Sequence, residues 1–493
     1  MKINKIFKDL DVQIYGDDSV EIDGLFHESN KVKGDGLFFA IEGTKVDGKI
    51  FIGDAIKRGA KAIVSNKKVL LPEGIVNIVC QDEREAMSLA ANNFYGKPSQ
   101  DMFVVGVTGT NGKTTTTFML ESMFKSAGKK VGIIGTNGVY IDGQKIDVNL
   151  TTPDPIYLQK TLRKMRDSGV DVVCMEVSAH ALELQKIRGV MTDIALFTNL
   201  TQDHLDFFLN MENYYNAKAD FFGLDYAKYG VINYDDPYGK RLFEQAKIPC
   251  LAYARGENVR NNRQANFRVV DILAVNEKHT KNGQSFDIFT IKGNQNIKIK
   301  LKGGFNVSNA LGVVGAGILS GLSLTQIAKG LEQLEKVDGR FNSYDLAGRT
   351  IIIDYAHTPD GLENILVACN ELKKENKVYC VFGCGGNRDK DKRPKMGRIA
   401  SELADYVIIT SDNPRFEDPL LIAREIESGV VSENYEIQED REDAIRKAIS
   451  LSKKGDVILI AGKGSEPYID INGVKKPYQD ELVIKEILEE LEK

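Results

Sequence analysis

A glycine-rich turn holds the residues whose chemistry is clearest in this sequence. Residues 106–115 read Gly-Val-Thr-Gly-Thr-Asn-Gly-Lys-Thr-Thr, between an apolar run at 102–105 and an amphipathic run at 118–124. A glycine-rich turn between a strand and a helix allows backbone N–H groups to converge on an anion at the helix N-terminus. Lys113 would then reach the outer phosphates of a nucleotide, and the Thr114 hydroxyl would bind Mg²⁺. The turn therefore predicts a phosphate-binding loop, with an ordinary glycine-rich connection as the alternative.

Acidic and histidine side chains follow two further apolar runs. Glu176 ends the run that begins at 172, and the segment 199–206 places His204 between two aspartates. A carboxylate at the tip of a buried parallel strand near a phosphate-binding loop can hold Mg²⁺ directly or through water. Glu176 and His204 are therefore candidate metal ligands, while a capping carboxylate and a structural histidine are the alternatives. Lys218 lies in a helical pattern, which by itself predicts a solvent-exposed lysine.

Polar and glycine-rich segments also follow the apolar runs in the last third of the chain. These segments are residues 354–359, 383–389, 411–415 and 461–466. Lys392 and Arg393 come shortly after the second of them. In open α/β sheets ligands bind at the carboxyl ends of parallel strands. The recurrence of functional side chains at successive strand ends predicts one shared site.

The elements that position these segments form an α/β protein of three domains. Residues 1–98 predict a small N-terminal α/β domain, followed by a turn with the features of a linker. Residues 99–338 alternate strand-like and helical runs, which predicts a central parallel-sheet domain around the phosphate-binding loop, with an added β-rich segment at 265–302. Residues 339–493 show the same rhythm, and we expect a Rossmann-like α/β domain there.

Composition narrows the class of protein. The chain has 493 residues, 42% of them apolar, and a net charge of −5, which argues against a general nucleic-acid binder. No apolar run approaches the length needed to cross a membrane, and the N-terminus lacks a signal-peptide pattern. The six cysteines show no C-x-x-C spacing, so neither zinc nor disulfides are expected. We expect a cytoplasmic protein with small-molecule partners, no nucleic acid and no membrane insertion, and a monomer rather than an oligomer.

The motif set resembles that of the Mur ligases over essentially the whole chain. The segments that carry the resemblance are 109–114, 176–180, 199–206, 305–309, 354–359 and the C-terminal loops. The resemblance implies an ATP-dependent, amide-bond-forming ligase of peptidoglycan synthesis, hence of cell wall biogenesis, cell shape and cell division. The chain is most similar to the members that add the third residue of the stem peptide. Such members phosphorylate the free carboxylate of UDP-N-acetylmuramoyl-L-alanyl-D-glutamate, and the amine of an amino acid then attacks the acyl phosphate.

The resemblance also implies roles for individual residues at the ATP and metal sites. Catalytic roles fall on Lys113, Glu176, His204 and Lys218. The ATP-binding positions are Gly109, Thr110, Asn111, Gly112, Lys113, Thr114, Thr115, Asn306 and Arg340. Two Mg²⁺ ions are implied, held by Thr114, Glu176, His204 and Lys218, the last as a carbamate derived from CO₂. A lysine cation cannot bind a metal, whereas its carbamate is an anion that can.

For the UDP substrate, the resemblance implies a second set of positions. They are Ser29, Thr44, Lys45, Val46, Thr151, Thr152, Ser178 and Lys186. The family usually has arginine where this chain has Lys186, and lysine keeps the charge but loses the bidentate fork. Arg188 lies two residues further on.

The third set of positions concerns the incoming amino acid. It consists of Arg388, Asp412, Asn413, Pro414, Arg415, Gly462 and Glu466. meso-2,6-Diaminopimelate carries a distal carboxylate that L-lysine lacks, and guanidinium groups bind carboxylates with paired, charge-assisted hydrogen bonds. Arg388 and Arg415 therefore favour diaminopimelate, while Glu466 and the Gly462 backbone would take its ammonium groups. Asn387 and Ser465 depart from the aspartate and histidine usual in the family.

Four alternatives stay open at this point. The same ligation could use L-lysine, or a diaminopimelate analogue such as meso-lanthionine, which presents the same termini. Folylpolyglutamate synthase shares the phosphate-binding loop but lacks the 412–415 pattern and the N-terminal domain. A non-catalytic nucleotide-binding regulator is the alternative from another class, and the candidate catalytic residues argue against it.

Overall fold

Three sheets follow one another along the chain in the computed structural model, which describes residues 1–43, 46–146, 151–256, 270–280 and 283–491. The first sheet has five strands, and all its pairings are parallel except that of the edge strand Val12–Tyr15. In spatial order its strands are Val12–Tyr15, Val76–Cys80, Ala60–Ser65, Gly36–Phe39 and Gly24–Phe26. The helices of this region are Ile3–Ile6, Ile52–Lys57 and Glu83–Phe94, with 3₁₀ turns at Ser29–Lys31 and Gly48–Phe51.

The second sheet has eleven strands, and its seven central strands are parallel. In spatial order they are Gly293–Ile299, Gly283–Thr290, Ile272–Thr280, Cys250–Arg255, Ala227–Asn233, Thr192–Phe197, Phe103–Thr108, Val172–Glu176, Val131–Gly135, Gly138–Ile141 and Gln144–Ile146. Antiparallel hairpins extend both edges. The predicted parallel sheet with an added β-rich segment is thereby confirmed, apart from positions 265–269 and 281–282, which lie outside the described residues.

Helices cover both faces of this large sheet. They are Lys113–Ser126, Pro155–Asp167, Ala179–Glu183, Leu205–Phe208, Met211–Ala219, Pro237–Gln245, Phe305–Leu319 and Leu324–Gln333, with 3₁₀ turns at Pro98–Asp101 and Asp220–Phe222. One apolar core joins the sheet to Lys113–Ser126 and Phe305–Leu319, and another joins it to Pro155–Asp167 and Met211–Ala219. Because strands covered on both faces are buried throughout, they appear in the sequence as continuous apolar runs.

The third sheet has six strands, all parallel except the edge strand Asn342–Leu346. In spatial order they are Asn342–Leu346, Arg349–Asp354, Val457–Ala461, Val378–Phe382, Tyr406–Ile409 and Tyr435–Ile437. The accompanying helices are Pro359–Lys373, Lys392–Leu403, Pro419–Glu427, Arg441–Leu451 and Asp480–Leu491, and a hairpin is formed by Tyr468–Ile471 and Val474–Pro477. The α/β fold class predicted from the sequence is confirmed.

One boundary near the phosphate-binding loop was predicted wrongly. The helix expected at 118–124 begins at Lys113, directly after the glycine turn. The first turn of this helix contains four consecutive threonines, Thr114 to Thr117, which interrupt the apolar pattern, so the sequence did not indicate a helix there. All four threonines are buried in the structure. Among the described residues, no helix combines the length and apolarity needed to cross a membrane.

Candidate active site

A cavity of about 740 Å³ opens between the second and third sheets. Loops at the carboxyl ends of parallel strands form its walls, as is usual for ligand sites in open α/β sheets. The predicted residues that line it are Thr110, Asn111, Gly112, Lys113, Thr114, Thr115, Thr151, Glu176, Ser178, His204, Asn306, Arg340, Arg388, Asp412, Asn413, Arg415, Gly462 and Glu466. Most candidate residues of the ATP and amino-acid sets therefore lie around one space.

The phosphate-binding loop requires glycine at two positions. Gly109 and Gly112 both have positive φ, of 147° and 87°, and a Cβ atom at Gly109 would overlap with the Thr198 hydroxyl. Gly112 ends the loop at the N-terminus of the helix Lys113–Ser126, where backbone N–H groups are free to bind an anion. Lys113 folds over this loop, and its Nζ donates to the carbonyl oxygens of Gly109 and Thr110 at 2.9 and 2.8 Å. Burial lowers the pKa of Lys113.

Glu176 is held by hydroxyl and amide donors at the bottom of the cavity. Its Oε1 accepts from Thr114 Oγ1 and from the backbone N–H of Thr136, each at 2.9 Å. Its Oε2 accepts from Thr136 Oγ1 at 3.1 Å, and Arg340 donates to Thr114 Oγ1 at 2.9 Å. Sequence reasoning missed Thr136, although it directly follows the predicted strand at 131–135 and the strand-end rule applies to it.

Asp203 lies close to three basic side chains, which come from the regions of the second and third sheets. Its carboxylate oxygens lie 3.2 Å from His204 Nε2, 3.5 Å from Lys392 Nζ and 3.6 Å from His357 Nε2. Burial opposes ionisation of Asp203, but these three neighbours hold its pKa well below the usual range. Burial lowers the pKa of His204 to about 3, so its imidazole is neutral at physiological pH. A neutral imidazole is the form of histidine that binds metals.

Lys218 is buried, so the expectation of an exposed lysine from the helical pattern is wrong. It is only 1% exposed, its Nζ donates to the carbonyl oxygen of Gly109 at 2.8 Å, and it lies 4.8 Å from the centre of the Tyr214 ring. Burial and then the positive charge of Lys113 hold the pKa of Lys218 well below its usual range. Burial favours the uncharged amine of a lysine, and the attraction of the Asp203 carboxylate opposes this only in part.

The donor set around Glu176 fits Mg²⁺. Mg²⁺ prefers oxygen ligands, and proteins usually supply one or two carboxylates while phosphates and water supply the rest. The Thr114 hydroxyl and the Glu176 carboxylate are such donors beside the phosphate-binding loop. Within the described ranges no group of three or more His, Cys, Asp or Glu could hold a metal by itself. A metal at this point would therefore share its ligands with a bound phosphate.

The loops of the third sheet carry the predicted amino-acid residues. Arg415 Nη1 donates to the carbonyl oxygen of Gly386 at 2.9 Å, while Arg388 is exposed at the cavity wall. Glu466 Oε2 accepts from Asn413 Nδ2 and from the buried Lys463 Nζ, each at 2.7 Å. Pro414, between two lining residues, is buried but does not itself line the cavity.

Further lining residues were not predicted as site residues. Asn233, Asp235, Asp236 and Arg255 come from the ends of two adjacent parallel strands, and Asp360 lies in the first turn of the helix Pro359–Lys373. Asp360 accepts from Asn111 Nδ2 at 2.7 Å, which joins the phosphate-binding loop to the third sheet's region. Asn306 Nδ2 donates to the carbonyl oxygen of Lys302 at 2.7 Å, and the Arg340 guanidinium stacks 4.6 Å from the Tyr355 ring centre.

The candidate UDP-site residues divide into two groups. Thr151 lines the cavity, and Thr152 donates from its hydroxyl to the Glu176 carbonyl oxygen at 2.9 Å and lies 3.4 Å from the Ser178 hydroxyl. Ser29, Val46 and Lys186 do not line the cavity, and Thr44 and Lys45 lie outside the described residues.

Lys186 and Arg188 have different surroundings. Burial lowers the pKa of Lys186, with the Asp154 carboxylate opposing that shift. His27, from the first sheet's region, approaches Asp154 with Nδ1 3.9 Å from Oδ1. Arg188 is paired with Glu85 at 3.0 Å and Asp225 at 2.9 Å. Lys186 is therefore the more available cation at the junction between the first and second sheets' regions.

Comparison with known proteins gives matches along the whole chain. Residues 21–95 match the Mur ligase family, catalytic domain, residues 107–317 the Mur ligase middle domain, and residues 339–464 the Mur ligase, glutamate ligase domain. The chain is 42% identical to UDP-N-acetylmuramoyl-L-alanyl-D-glutamate–2,6-diaminopimelate ligase 1 of Clostridium acetobutylicum and 42% identical to the ligase of that name from Clostridium tetani, with 100% of each chain covered. A solved structure of a ligase of the same name is 28% identical, with a TM-score of 0.68, over 100% of this chain and 99% of that one.

Proposed function

The chain belongs to the Mur ligase family of ATP-dependent amide-bond-forming ligases, and we propose that it adds meso-2,6-diaminopimelate to the D-glutamyl carboxylate of UDP-N-acetylmuramoyl-L-alanyl-D-glutamate. One observation carries the proposal. A single cavity is lined both by the phosphate-binding loop and by the two arginines, Arg388 and Arg415. A phosphorylated carboxylate and an amino acid with a distal carboxylate can meet in that space.

The reaction proceeds in two steps on the substrates. An oxygen of the glutamyl carboxylate attacks the γ-phosphorus of ATP, which gives an acyl phosphate and releases ADP. The amine nitrogen of diaminopimelate then attacks the carbonyl carbon, the tetrahedral intermediate expels phosphate, and the nitrogen loses a proton. Phosphorylation is needed because a free carboxylate has no adequate leaving group. Catalysis of phosphoryl transfer depends mainly on positioning and on stabilising negative charge.

The residues of the phosphate-binding loop would position ATP and stabilise the negative charge on its phosphates. The backbone N–H groups around Gly112 bind phosphate oxygens, and Lys113 moves from the carbonyl oxygens of Gly109 and Thr110 to the transferred phosphoryl group. Arg340, which contacts Thr114, adds a second positive charge at the same point. Asn306 and its neighbours on the cavity wall hold the rest of the nucleotide.

Thr114 and Glu176 would hold one Mg²⁺, and His204 and a carbamylated Lys218 a second. The metal would neutralise charge on the phosphates when bound. The low pKa of Lys218 supports the carbamate, because only the uncharged amine reacts with CO₂. Thr136 orients Glu176 through both carboxylate oxygens.

The UDP substrate would extend from the cavity to the first sheet's region. Thr151, Thr152 and Ser178 would contact its peptide end, and Ser29, the loop 44–46 and Lys186 would bind the nucleotide end. We accordingly propose that residues 1–98 bind the UDP substrate, 99–338 bind ATP and 339–493 bind the amino acid. Gln185 donates to Asp82 at 2.6 Å, and Arg188 donates to Glu85 at 3.0 Å. These contacts support a fixed arrangement of residues 1–98 relative to residues 99–338.

Diaminopimelate is preferred to L-lysine because of Arg388 and Arg415. Both guanidinium groups would bind the distal carboxylate, and Asp412, Asn413, Gly462 and Glu466 would bind the ammonium groups. L-Lysine has no distal carboxylate for the two arginines, so it would lack the charge-assisted hydrogen bonds that diaminopimelate makes with them.

Phosphate release from ATP tests this proposal. The enzyme is supplied with UDP-N-acetylmuramoyl-L-alanyl-D-glutamate and either meso-diaminopimelate or L-lysine. We expect release with diaminopimelate alone. Release with both acceptors would keep the ligase but reject the role of the two arginines. ATP binding without release for any acceptor, meso-lanthionine included, would favour a non-catalytic regulator.

A further inference from the structure

We propose that Arg393 and Glu417 are positioning residues whose ion pair fixes the spacing between the two loops that carry Arg388 and Arg415. Neither residue lines the cavity, so their effect would pass through the two arginines. The proposal rests on the function proposed above, because it concerns how those arginines select an amino acid with a distal carboxylate.

Arg393 is the centre of the arrangement. It lies in the first turn of the helix Lys392–Leu403, and its side chain is fully buried. Its Nη1 and Nη2 donate to the two carboxylate oxygens of Glu417 at 2.9 and 3.1 Å, and Nη2 also donates to the carbonyl oxygen of Gly385 at 3.1 Å. A bidentate guanidinium–carboxylate pair fixes orientation as well as distance. One buried side chain therefore holds both loops.

Glu417 in turn holds the loop that carries Arg388. Its Oε1 accepts a short hydrogen bond from the backbone N–H of Asn387, the residue next to Arg388. Hydrogen bonding to Arg393 lowers the pKa of Glu417 to about 2, so the carboxylate is charged throughout the physiological range. The Glu417 side chain is partly buried, with 17% of its surface exposed.

The two loops also bind each other directly. Gly386 donates from its backbone N–H to the Asn413 carbonyl oxygen at 2.9 Å and accepts from Arg415 Nη1 at 2.9 Å. The Asn387 side chain accepts from the backbone N–H of Phe416 at 3.1 Å. A Cβ atom at Gly386 would overlap with the carbonyl oxygen of Pro414, so the loops cross in backbone contact.

This crossing also accounts for Asn387, where the family usually has aspartate. Asn387 has a positive φ of 51°, a conformation that asparagine and aspartate tolerate better than most residues. Its amide oxygen serves as the acceptor that a carboxylate would provide, without adding a second negative charge beside Glu417. The substitution therefore preserves the crossing of the two loops.

Glu425 provides a matched control in the same cluster. It accepts from Arg393 Nη1 at 2.6 Å, and its only other ion pair among the described residues is with Lys390, at 3.9 Å. Among the described residues, Glu425 has no hydrogen bond to Asn387 or Gly386. Glu417→Ala and Glu425→Ala each leave Arg393 with one carboxylate, but only the first releases the Arg388 loop.

The test compares wild type, Glu417→Ala and Glu425→Ala by steady-state kinetics and thermal unfolding. We expect Glu417→Ala to raise KM for meso-diaminopimelate about tenfold or more, since displacing a positioning group by about 1 Å can cost up to about 100-fold. The KM values for ATP and the UDP substrate should not change. Glu425→Ala should lower the unfolding temperature comparably and leave all three KM values unchanged.

An equal effect of the two substitutions on KM for diaminopimelate would overturn the positioning role. If Glu417→Ala does not fold, Glu417→Gln is measured instead; it loses the charge and the Arg393 Nη1 bond but can keep the acceptor for Asn387 N–H, so a smaller rise in KM for diaminopimelate is expected, still with no change for Glu425→Ala. Wild type that fails to use diaminopimelate would overturn the proposed function itself. Wild type that uses it, with an unchanged KM in the Glu417 variant, would overturn only this inference.

Discussion

Lys113 and Lys218 donate hydrogen bonds to the same acceptor, the carbonyl oxygen of Gly109, at 2.9 and 2.8 Å. The two side chains come from helices on either side of the phosphate-binding loop's strand. Burial, and then the charge of Lys113, shifts Lys218 towards the uncharged amine, with its pKa well below the usual range. The proposed nucleotide-binding loop and the proposed carbamylation site thus lie next to each other, because both lysines donate to the same backbone carbonyl oxygen.

We expect Lys218→Ala to reduce ligase activity by a factor of about 100 or more, the scale seen when one group that stabilises developing charge is removed. Short-chain carboxylates such as acetate should restore part of the activity by replacing the carbamate. Lys228→Ala, which removes an exposed lysine paired with Asp193, is the control and should behave as wild type. Wild-type activity in Lys218→Ala would reject the carbamate.

Lys186→Arg tests the proposed contact with the UDP substrate. Arginine would add a bidentate fork for phosphate oxygens, so KM for the UDP substrate should stay the same or fall. Initial rates at saturating ATP and diaminopimelate give that KM. A large increase would contradict the match between Lys186 and the position at which the family usually has arginine. Arg188→Ala, which removes the pairs with Glu85 and Asp225, should instead lower the unfolding temperature.

Arg415→Ala should reduce the preference for diaminopimelate over L-lysine, because Arg388 alone would remain to bind the distal carboxylate. The loss of a charge-assisted, bidentate contact is worth about 1.5–3 kcal/mol, or roughly 10- to 100-fold in kcat/KM for diaminopimelate. The measurement is the ratio of kcat/KM for the two acceptors. Arg398→Ala, on an exposed helix position, is the control. Full selectivity in Arg415→Ala would contradict the assignment.

Asp360→Ala should weaken the contact between the phosphate-binding loop and the third sheet's region. The substitution removes the acceptor of the Asn111 hydrogen bond, so the closed arrangement loses one of its inter-region contacts. We expect a larger radius of gyration by small-angle X-ray scattering and a higher KM for ATP. Glu363→Ala changes an exposed acid on the same helix and should alter neither quantity. An unchanged radius and KM would contradict the prediction.

The ion pair between Arg393 and Glu417 predicts that the free energy of unfolding falls in acid. The pKa of Glu417 falls from 4.5 to about 2 on folding, so the stabilisation is complete above pH 4.5 and is lost as the pH falls towards 2. Without solvent screening the full difference corresponds to about 3.4 kcal/mol, and screening at this partly exposed position makes the contribution smaller. Thermal unfolding between pH 6 and 3, at steps of about half a unit, should show a steeper loss in wild type than in Glu417→Gln. Equal slopes would contradict this, and Glu402→Gln, on an exposed helix position, serves as the control.

Sequence reasoning predicted those features that depend on local patterns. The phosphate-binding loop, the parallel sheets and the candidate residues at strand ends follow from apolar runs and the turns after them, and the family resemblance is confirmed by full-length relatives. The burial of Lys218 could not be predicted, because it depends on contact with Gly109, which lies 109 positions away along the chain. The Asn111–Asp360 contact joins residues 249 positions apart, and no local pattern encodes it. The roles of individual site residues stay predictions until the experiments above are made.

The backbone crossing at Gly386 restricts how this enzyme can change its acceptor during evolution. Any side chain at Gly386 would collide with the carbonyl oxygen of Pro414, so most single substitutions there would separate the two loops at once. A shift towards another amino acid is therefore easier at Arg388, whose side chain is exposed, than at Arg415, which itself donates to the Gly386 carbonyl oxygen. The backbone of the pocket would be inherited unchanged while the side chain at position 388 varies.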